Sequence, residues 1–528
     1  MEFQARLKPH FSKYARLYFV ITVTFIFGLC AHAYRLVNLN FSFDSLLIYG
    51  KPDLLHQVNL GRFSQMLYWE LRGDLAAPFL LGLLALIWLA LANYIVISAL
   101  EVRSVRHIVL LCGILSTNAV LTFSFATYLP WTDIYMLAYF LAALAAWLAI
   151  RFSYGFLAAW VPLMLSLGLY QSYMNVAITL LMIAVMKHIL DGMEIKALFI
   201  RIAKYLAALL GGTIFYYIVL RLVLAGTGME LSTDYNGLSQ LGNYAQTDIL
   251  KLVTDTVAYP FQYMFHPETY HPQAAGWINL AVFLSAFFGL VRVAAAKKIA
   301  KAPLVLLILC VAAMPFGINA VYFLSKRMQH SLMIFSFFLF YAAVIVIWEY
   351  CGALPLLRTA KRAPYAAATA KKILTVLCSG GLSILILFHV IFANQIYLRK
   401  ALEYDATLSF ATKVTCTIEQ TEGYVPGETP VVFYGLFEAS PLFAAREGFE
   451  DLTGVGMLGQ FAVSYSANYS DFFNTILTYN INFLTGARAD EIKQRPEVQA
   501  MPAYPAKESC QIIDGVLIVK FIQPESAS

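Results

Sequence analysis

Long apolar stretches of about 15 to 23 residues alternate along the first three quarters of the chain with short polar breaks. A helix rising 1.5 Å per residue needs roughly 20 apolar residues to cross a hydrocarbon core of about 30 Å, so each stretch predicts a membrane span. Eleven are expected, over residues 17–33, 78–100, 108–126, 133–150, 155–169, 172–189, 205–224, 277–295, 303–324, 331–350 and 373–393. The fifth is the shortest, and its loss would reverse the orientation of every later segment. The basic start followed by an apolar run reads as an uncleaved signal anchor.

Lys and Arg resolve the orientation. Arg6, Lys8, Lys13 and Arg16 precede the first span, and further clusters fall at Arg103/Arg106, Arg151, 187–204, 292–301 and 358–372. All of these lie on the same side in the alternation, which the positive-inside rule assigns to the cytoplasm. The N-terminus is therefore expected inside and the chain after residue 393 outside.

That tail reverses the charge balance: from residue 398 to 528, sixteen acids face nine bases. The net charge of +6 thus belongs to the cytoplasmic loops and gives no reason to expect a nucleic-acid partner. "PVVFYGLF" and "CQIIDGVLIVKFI" read as strands, the second as a pair turning at Asp514-Gly515, and "DFFNTILTYNINFL" reads as helix. The expected architecture is an α-helical polytopic membrane domain over 1–395, with an amphipathic first external loop over 34–77, and an external α/β domain over 396–528.

Composition agrees, with 60% hydrophobic and 13% charged residues. Of the seven cysteines, five lie in or beside spans; Cys416 and Cys510 both fall in the tail, where an oxidising compartment would pair them. No Cys/His spacing suggests a metal, and no cofactor is expected.

The candidate chemistry lies in the external segments. The first holds Asp44 in "NLNFSFDSLLIYG", followed by Arg62; the second is "TYLPWTD", with Tyr128, Trp131 and Asp133; the third is "YQSY", with Tyr170, Gln171 and Tyr173; the fifth is "SKRMQH", with Lys326, Arg327 and His330. An acid suited to taking a proton, fixed cations suited to a phosphate and aromatic faces suited to a sugar ring point to glycosyl transfer from a lipid phosphate. Structural roles stay open beside these: Asp44 as a helix cap or a partner of Arg35 or Arg62, Asp133 as a cap, the cations as snorkelling side chains and the aromatics as an interfacial belt.

The order "FSFDSLLIYG", "LGRF" and "LGLYQSYMNVAITLLM" resembles the bacterial glucosyltransferases of the serotype-converting, type II Gtr kind, which are similar in plan to the GT-C superfamily. The resemblance implies a polyprenyl-phosphate-sugar donor, most often of glucose, and a lipid-linked surface polysaccharide such as O antigen as acceptor. It also implies a bacterial inner membrane with a periplasmic tail, and as partners a donor-synthesising glycosyltransferase and a flippase. By analogy Asp44 is the base of a metal-independent, inverting displacement, Asp133 a second acid, and Arg327, Lys326 and Arg62 the phosphate ligands. Members commonly carry two adjacent acids in the first loop; this chain has Asp44 followed by Ser45. A multispan transporter or flippase, which would place charges inside broken spans, and a polysaccharide polymerase, which would carry an arginine-rich external loop, are the alternatives.

Overall fold

The structure is a computed structural model that describes residues 2–38, 41, 46, 53–73, 77–232, 244, 247–266, 273–325, 330–353, 364–435 and 467–522. Ten helices among the described residues are long and apolar enough to cross a membrane. The first, α1 (Glu2–Val37), leads to two short helices, α2 (Leu54–Asn59) and α3 (Phe63–Arg72). Then follow α4 (Pro78–Ala99), α5 (Val105–Thr117), α6 (Ala119–Thr127), α7 (Leu129–Arg151), α8 (Gly155–Ala158), α9 (Trp160–Leu169), α10 (Met174–Leu190) and α11 (Ile195–Thr227). The set closes with α12 (Ile249–Phe265), α13 (Gln273–Ala296), α14 (Lys301–Ile318), α15 (Ala320–Leu324), α16 (Phe340–Ala353) and α17 (Pro364–Glu419).

The short fifth stretch is the pair α8–α9. It runs back along α7: Gly155 approaches the Leu148 carbonyl, Ser166 Oγ donates to Ala138 O at 2.8 Å, and Tyr170 packs on Tyr135 at 5.1 Å. Alanines 138, 142, 145, 146 and 149 of α7 are buried, and small side chains of this kind let neighbouring backbones approach closely. The expected loop over 127–133 is mostly helix. Pro130 sits in the first turn of α7, where its missing N–H costs nothing.

The span Val105–Thr127 is broken at Asn118, whose ψ of 159° is extended. Asn118 repairs the break with its own side chain: Oδ1 accepts from Leu121 N at 3.1 Å and Nδ2 donates to Leu115 O at 2.8 Å. His32 of α1 takes a further carbonyl left at the end of α5, its Nε2 lying 3.0 Å from Ser116 O. Nε2 must donate there, so Nδ1 accepts from Tyr397 O–H on α17 at 2.7 Å. Asn93 ties four helices in the same layer, donating to Thr24 Oγ1 at 3.2 Å and Ser116 Oγ at 3.3 Å and accepting from Tyr139 O–H at 3.3 Å. Such a break survives at membrane depth only when enclosed by protein, and 94% of this segment's apolar window is buried.

The 56 residues of α17 continue beyond the bundle into the tail, where Phe410, Val414 and Ile418 share a core with sheet residues. The sheet has the order β2-β1-β4-β3, from β1 (Pro430–Tyr434), β2 (Asn482–Phe483), β3 (Cys510–Ile513) and β4 (Val516–Lys520). β3 and β4 are antiparallel about Asp514 and Gly515, whose φ values of 50° and 74° make the left-handed pair that a tight hairpin needs. β1 pairs parallel to β4 and to β2. The stretch read as helix from Asp471 makes one turn of π-helix and then enters β2.

The expected disulfide is not formed. Cys416 is exposed on α17, whereas Cys510 is buried with its Sγ 3.2 Å from Thr421 Oγ1. The two thiols occupy different environments, one outside the tail's core and one within it.

Replacing Asn118 by Ala strands the Leu121 N–H and the Leu115 carbonyl in an enclosed apolar layer, each at about 1–3 kcal/mol. A lower thermal midpoint in detergent is the expected result; an unchanged midpoint would mean that water or backbone adjustment closes the break.

Candidate active site

At the end of the bundle where α3 lies, two turns hold each other. The turn Leu60–Gly61–Arg62 between α2 and α3 needs a left-handed residue, and Gly61 supplies it with φ of 78°. The second turn joins α9 to α10 through a 3-10 segment, Gln171–Tyr173. Gln171 Nε2 donates to Leu60 O at 2.8 Å and lies 3.2 Å from the Tyr216 hydroxyl of α11, which itself donates to Gly61 O at 2.9 Å. Both carbonyls of the first turn are thereby fixed. Gln65 Nε2 adds a bond to Leu169 O at 2.7 Å. Gly168 completes the fit, since a Cβ there would strike Ser64 and Phe63 of α3.

This grip aims Arg62. Its guanidinium lies 4.8 Å from the centre of the Tyr170 ring, Nη1 donates to Gln57 Oε1 at 3.2 Å, and Nε is buried without a partner. Tyr170 meets Tyr135 at 5.1 Å, so the cation stands against an aromatic wall.

His330 joins from the far side of the sequence. Its Nδ1 accepts from Leu332 N at 3.3 Å, so Nε2 carries the proton, 3.4 Å from the Tyr128 hydroxyl. Phe123 packs on both Tyr128 and His330 at 5.3 Å. Burial, with the Arg62 charge acting in the same direction, lowers His330 from 6.5 to about 4. Both causes favour the neutral imidazole.

Asp133 sits within α7 and does not cap it, the helix having begun at Leu129. The carboxylate is 0% exposed; Arg72 Nη1 donates to Oδ1 at 2.8 Å and to Oδ2 at 2.9 Å, and Tyr68 O–H donates to Oδ2 at 3.1 Å. Burial and the Asp133 charge raise Tyr68 above its ordinary range, which keeps the hydroxyl protonated and donating. Arg72 also caps the Pro130 carbonyl at 3.0 Å and lies 4.0 Å from the centre of the Trp69 ring. The pair pins α3 onto α7.

Trp131 and Tyr173 are core residues. Trp131 is buried against Trp69 at 5.2 Å, and Tyr173 is buried between Tyr139 and Phe335. Asp44, Lys326 and Arg327 lie outside the described residues. Two residues that flank Asp44 are described: Phe41 and Leu46 are both buried in the tail's core, with Phe41 meeting Tyr404 of α17 at 5.5 Å.

Several contributors were not legible as site residues. Arg35, in the last turn of α1, is 1% exposed, donates to the carbonyls of Phe125 at 3.1 Å and Asn38 at 3.3 Å, and leaves Nη2 without a partner. A cation within the end of a span is the signal that singles it out. Tyr135 and Tyr216 gave no such signal, being tyrosines in apolar helices.

The ion pair yields a double-mutant cycle. Asp133→Asn or Arg72→Gln alone should cost about 3–5 kcal/mol by leaving a buried charge uncompensated, with the double variant well short of the sum. Denaturant unfolding measures it; additive losses would show that the two side chains stabilise the fold independently.

No curated protein and no solved structure matches the chain. The family model described as Glucosyl transferase GtrII matches residues 33–347, more than half of the 528 residues, and its matched range contains both gripped turns, Asp133 and His330. The chain is a member of the GtrII glucosyl transferase family.

Proposed function

We propose that this membrane glycosyltransferase moves glucose from a polyprenyl-phosphate carrier to a lipid-linked surface polysaccharide such as O antigen, on the periplasmic face of a bacterial inner membrane. The observation that carries the reading is the interlock of the "LGRF" and "YQSY" turns, which holds an incompletely bonded guanidinium, that of Arg62, against Tyr170 at one end of a bundle of apolar helices. A guanidinium with a free donor suits a phosphate whose charge grows as it leaves. The aromatic faces of Tyr170 and Tyr128, with Gln171 and His330 beside them, suit the apolar side of a pyranose.

The reaction is a direct displacement with inversion, on a GT-C plan. The acceptor oxygen forms a bond to the anomeric carbon as the bond from that carbon to the phosphate oxygen breaks. The acceptor's proton passes to the Asp44 carboxylate, and polyprenyl phosphate departs with its charge held by Arg62, Lys326 and Arg327. Asp133 has both oxygens engaged by Arg72 and Tyr68, so its part in this scheme is to seat α3.

Residues 396–528 act in the scheme as a clamp on the catalytic loop. Phe41 and Leu46 bracket Asp44 and are buried with Tyr404 and Phe410. In this reading the tail holds both described neighbours of the base, which belongs to the membrane part.

With purified protein and a polyprenyl-phosphate-glucose donor, Asp44→Asn should bind donor normally and lose transfer by about 10²-fold or more. Arg62→Gln should weaken donor binding, and Phe41→Ala should lower kcat with donor binding retained. Near-normal turnover of Asp44→Asn would remove Asp44 as the base.

A further inference from the structure

At the opposite end of the bundle, α5, α13, α16 and α17 enclose a cavity of about 370 Å³. Ser104 at its wall precedes the segment Val105–Thr127 and Tyr128 at the candidate active site follows it, so the two sites lie at opposite ends of one apolar span. The cavity is lined by Ser104, Arg106 and His107 from the start of α5, Arg292 from α13, Glu349 from α16 and Ser379 from α17.

The single carboxylate in that wall is already engaged. Glu349 Oε1 accepts from Arg103 N at 3.1 Å, Ser104 N at 2.8 Å and His107 Nδ1 at 2.9 Å, so it caps the N-terminus of α5 from a neighbouring helix. The arginines are not so engaged. Arg106 Nη1 has only Ser379 Oγ, at 3.5 Å, and Arg292 makes no hydrogen bond or ion pair among the described residues. Two guanidinium groups and the hydroxyls of Ser104 and Ser379 therefore converge on a space of small-molecule size.

Exposed apolar side chains stand beside the mouth on the same helices: Val105 is 63% exposed, Phe288 59%, Val291 51% and Val376 61%. On a bundle of membrane-spanning helices, side chains of this kind face acyl chains. The geometry points to a site for an anionic glycerophospholipid, with the headgroup phosphate between Arg106 and Arg292 and the tails along Val105, Phe288, Val291 and Val376. A bound lipid there joins α5, α13 and α17 at the end where Glu349 already links α16 to α5. This inference does not depend on the transfer reaction proposed above.

Native mass spectrometry and thermal unfolding of the full-length protein in detergent test it, with phosphatidylglycerol, phosphatidylcholine and inorganic phosphate as probes. Phosphatidylglycerol should bind and raise Tm, with an apparent affinity at least about tenfold weaker in R106Q/R292Q, as the loss of two charge-assisted contacts requires. R106K/R292K should keep most of the binding, which separates charge from folding. R292Q alone breaks no internal bond among the described residues and should give an intermediate loss. The control K196Q/K301Q removes two exposed lysines from the same end and should bind like the parent. Equal loss in R106Q/R292Q and the lysine control would reduce the effect to diffuse surface charge and overturn the proposal. So would an equal Tm shift from inorganic phosphate alone, or equal binding of phosphatidylcholine.

Discussion

Everything at the candidate active site depends on the bonds that Gln171 and Tyr216 make to the carbonyls of Leu60 and Gly61. Those carbonyls belong to a turn only glycine accommodates without strain, and the residue after it is Arg62. Fixing the turn fixes the guanidinium. The same contact explains why "LGRF" and "YQSY", about a hundred residues apart, belong to one motif: the second supplies donors for the first, and Gly168 admits α3 close enough for the bonds to form. The Arg72–Asp133 pair secures the far end of α3, so the helix is held at both ends.

A second constraint is solvent. Polar groups deep in a bundle of apolar helices have no water to fall back on, so a break in a helix has to be closed by protein groups. His32, Asn93, Asn118 and Tyr397 close the break between α5 and α6 and tie α1, α4, α7 and α17 around it. Since α17 continues into the tail, and the tail's core contains Phe41 and Leu46, the same helix connects the buried layer to the loop that carries Asp44.

Much of this was written in the hydrophobic pattern. Length and apolarity placed the spans because a bilayer imposes one length on every helix that crosses it. The family followed from short motifs whose residues are held together by the turn geometry. Tertiary partnership was not legible: Asp133, read as a second acid, is buried beneath Arg72 and Tyr68, and Trp131 and Tyr173, read as substrate platforms, are core. An aromatic near a span end looks the same in sequence whether it faces the interface or its neighbours. The Cys416–Cys510 pairing failed for a related reason, because a shared compartment says nothing of which side of a helix each thiol occupies. The break at Asn118 left no trace in a run that stays apolar on both sides.

The most direct measurement follows label from a radioactive polyprenyl-phosphate-glucose in liposomes that contain this protein alone and a lipid-linked polysaccharide acceptor. The account predicts that label moves to the acceptor and that polyprenyl phosphate is released in equal amount. Label that stays on the carrier, or that only changes leaflet, would contradict it.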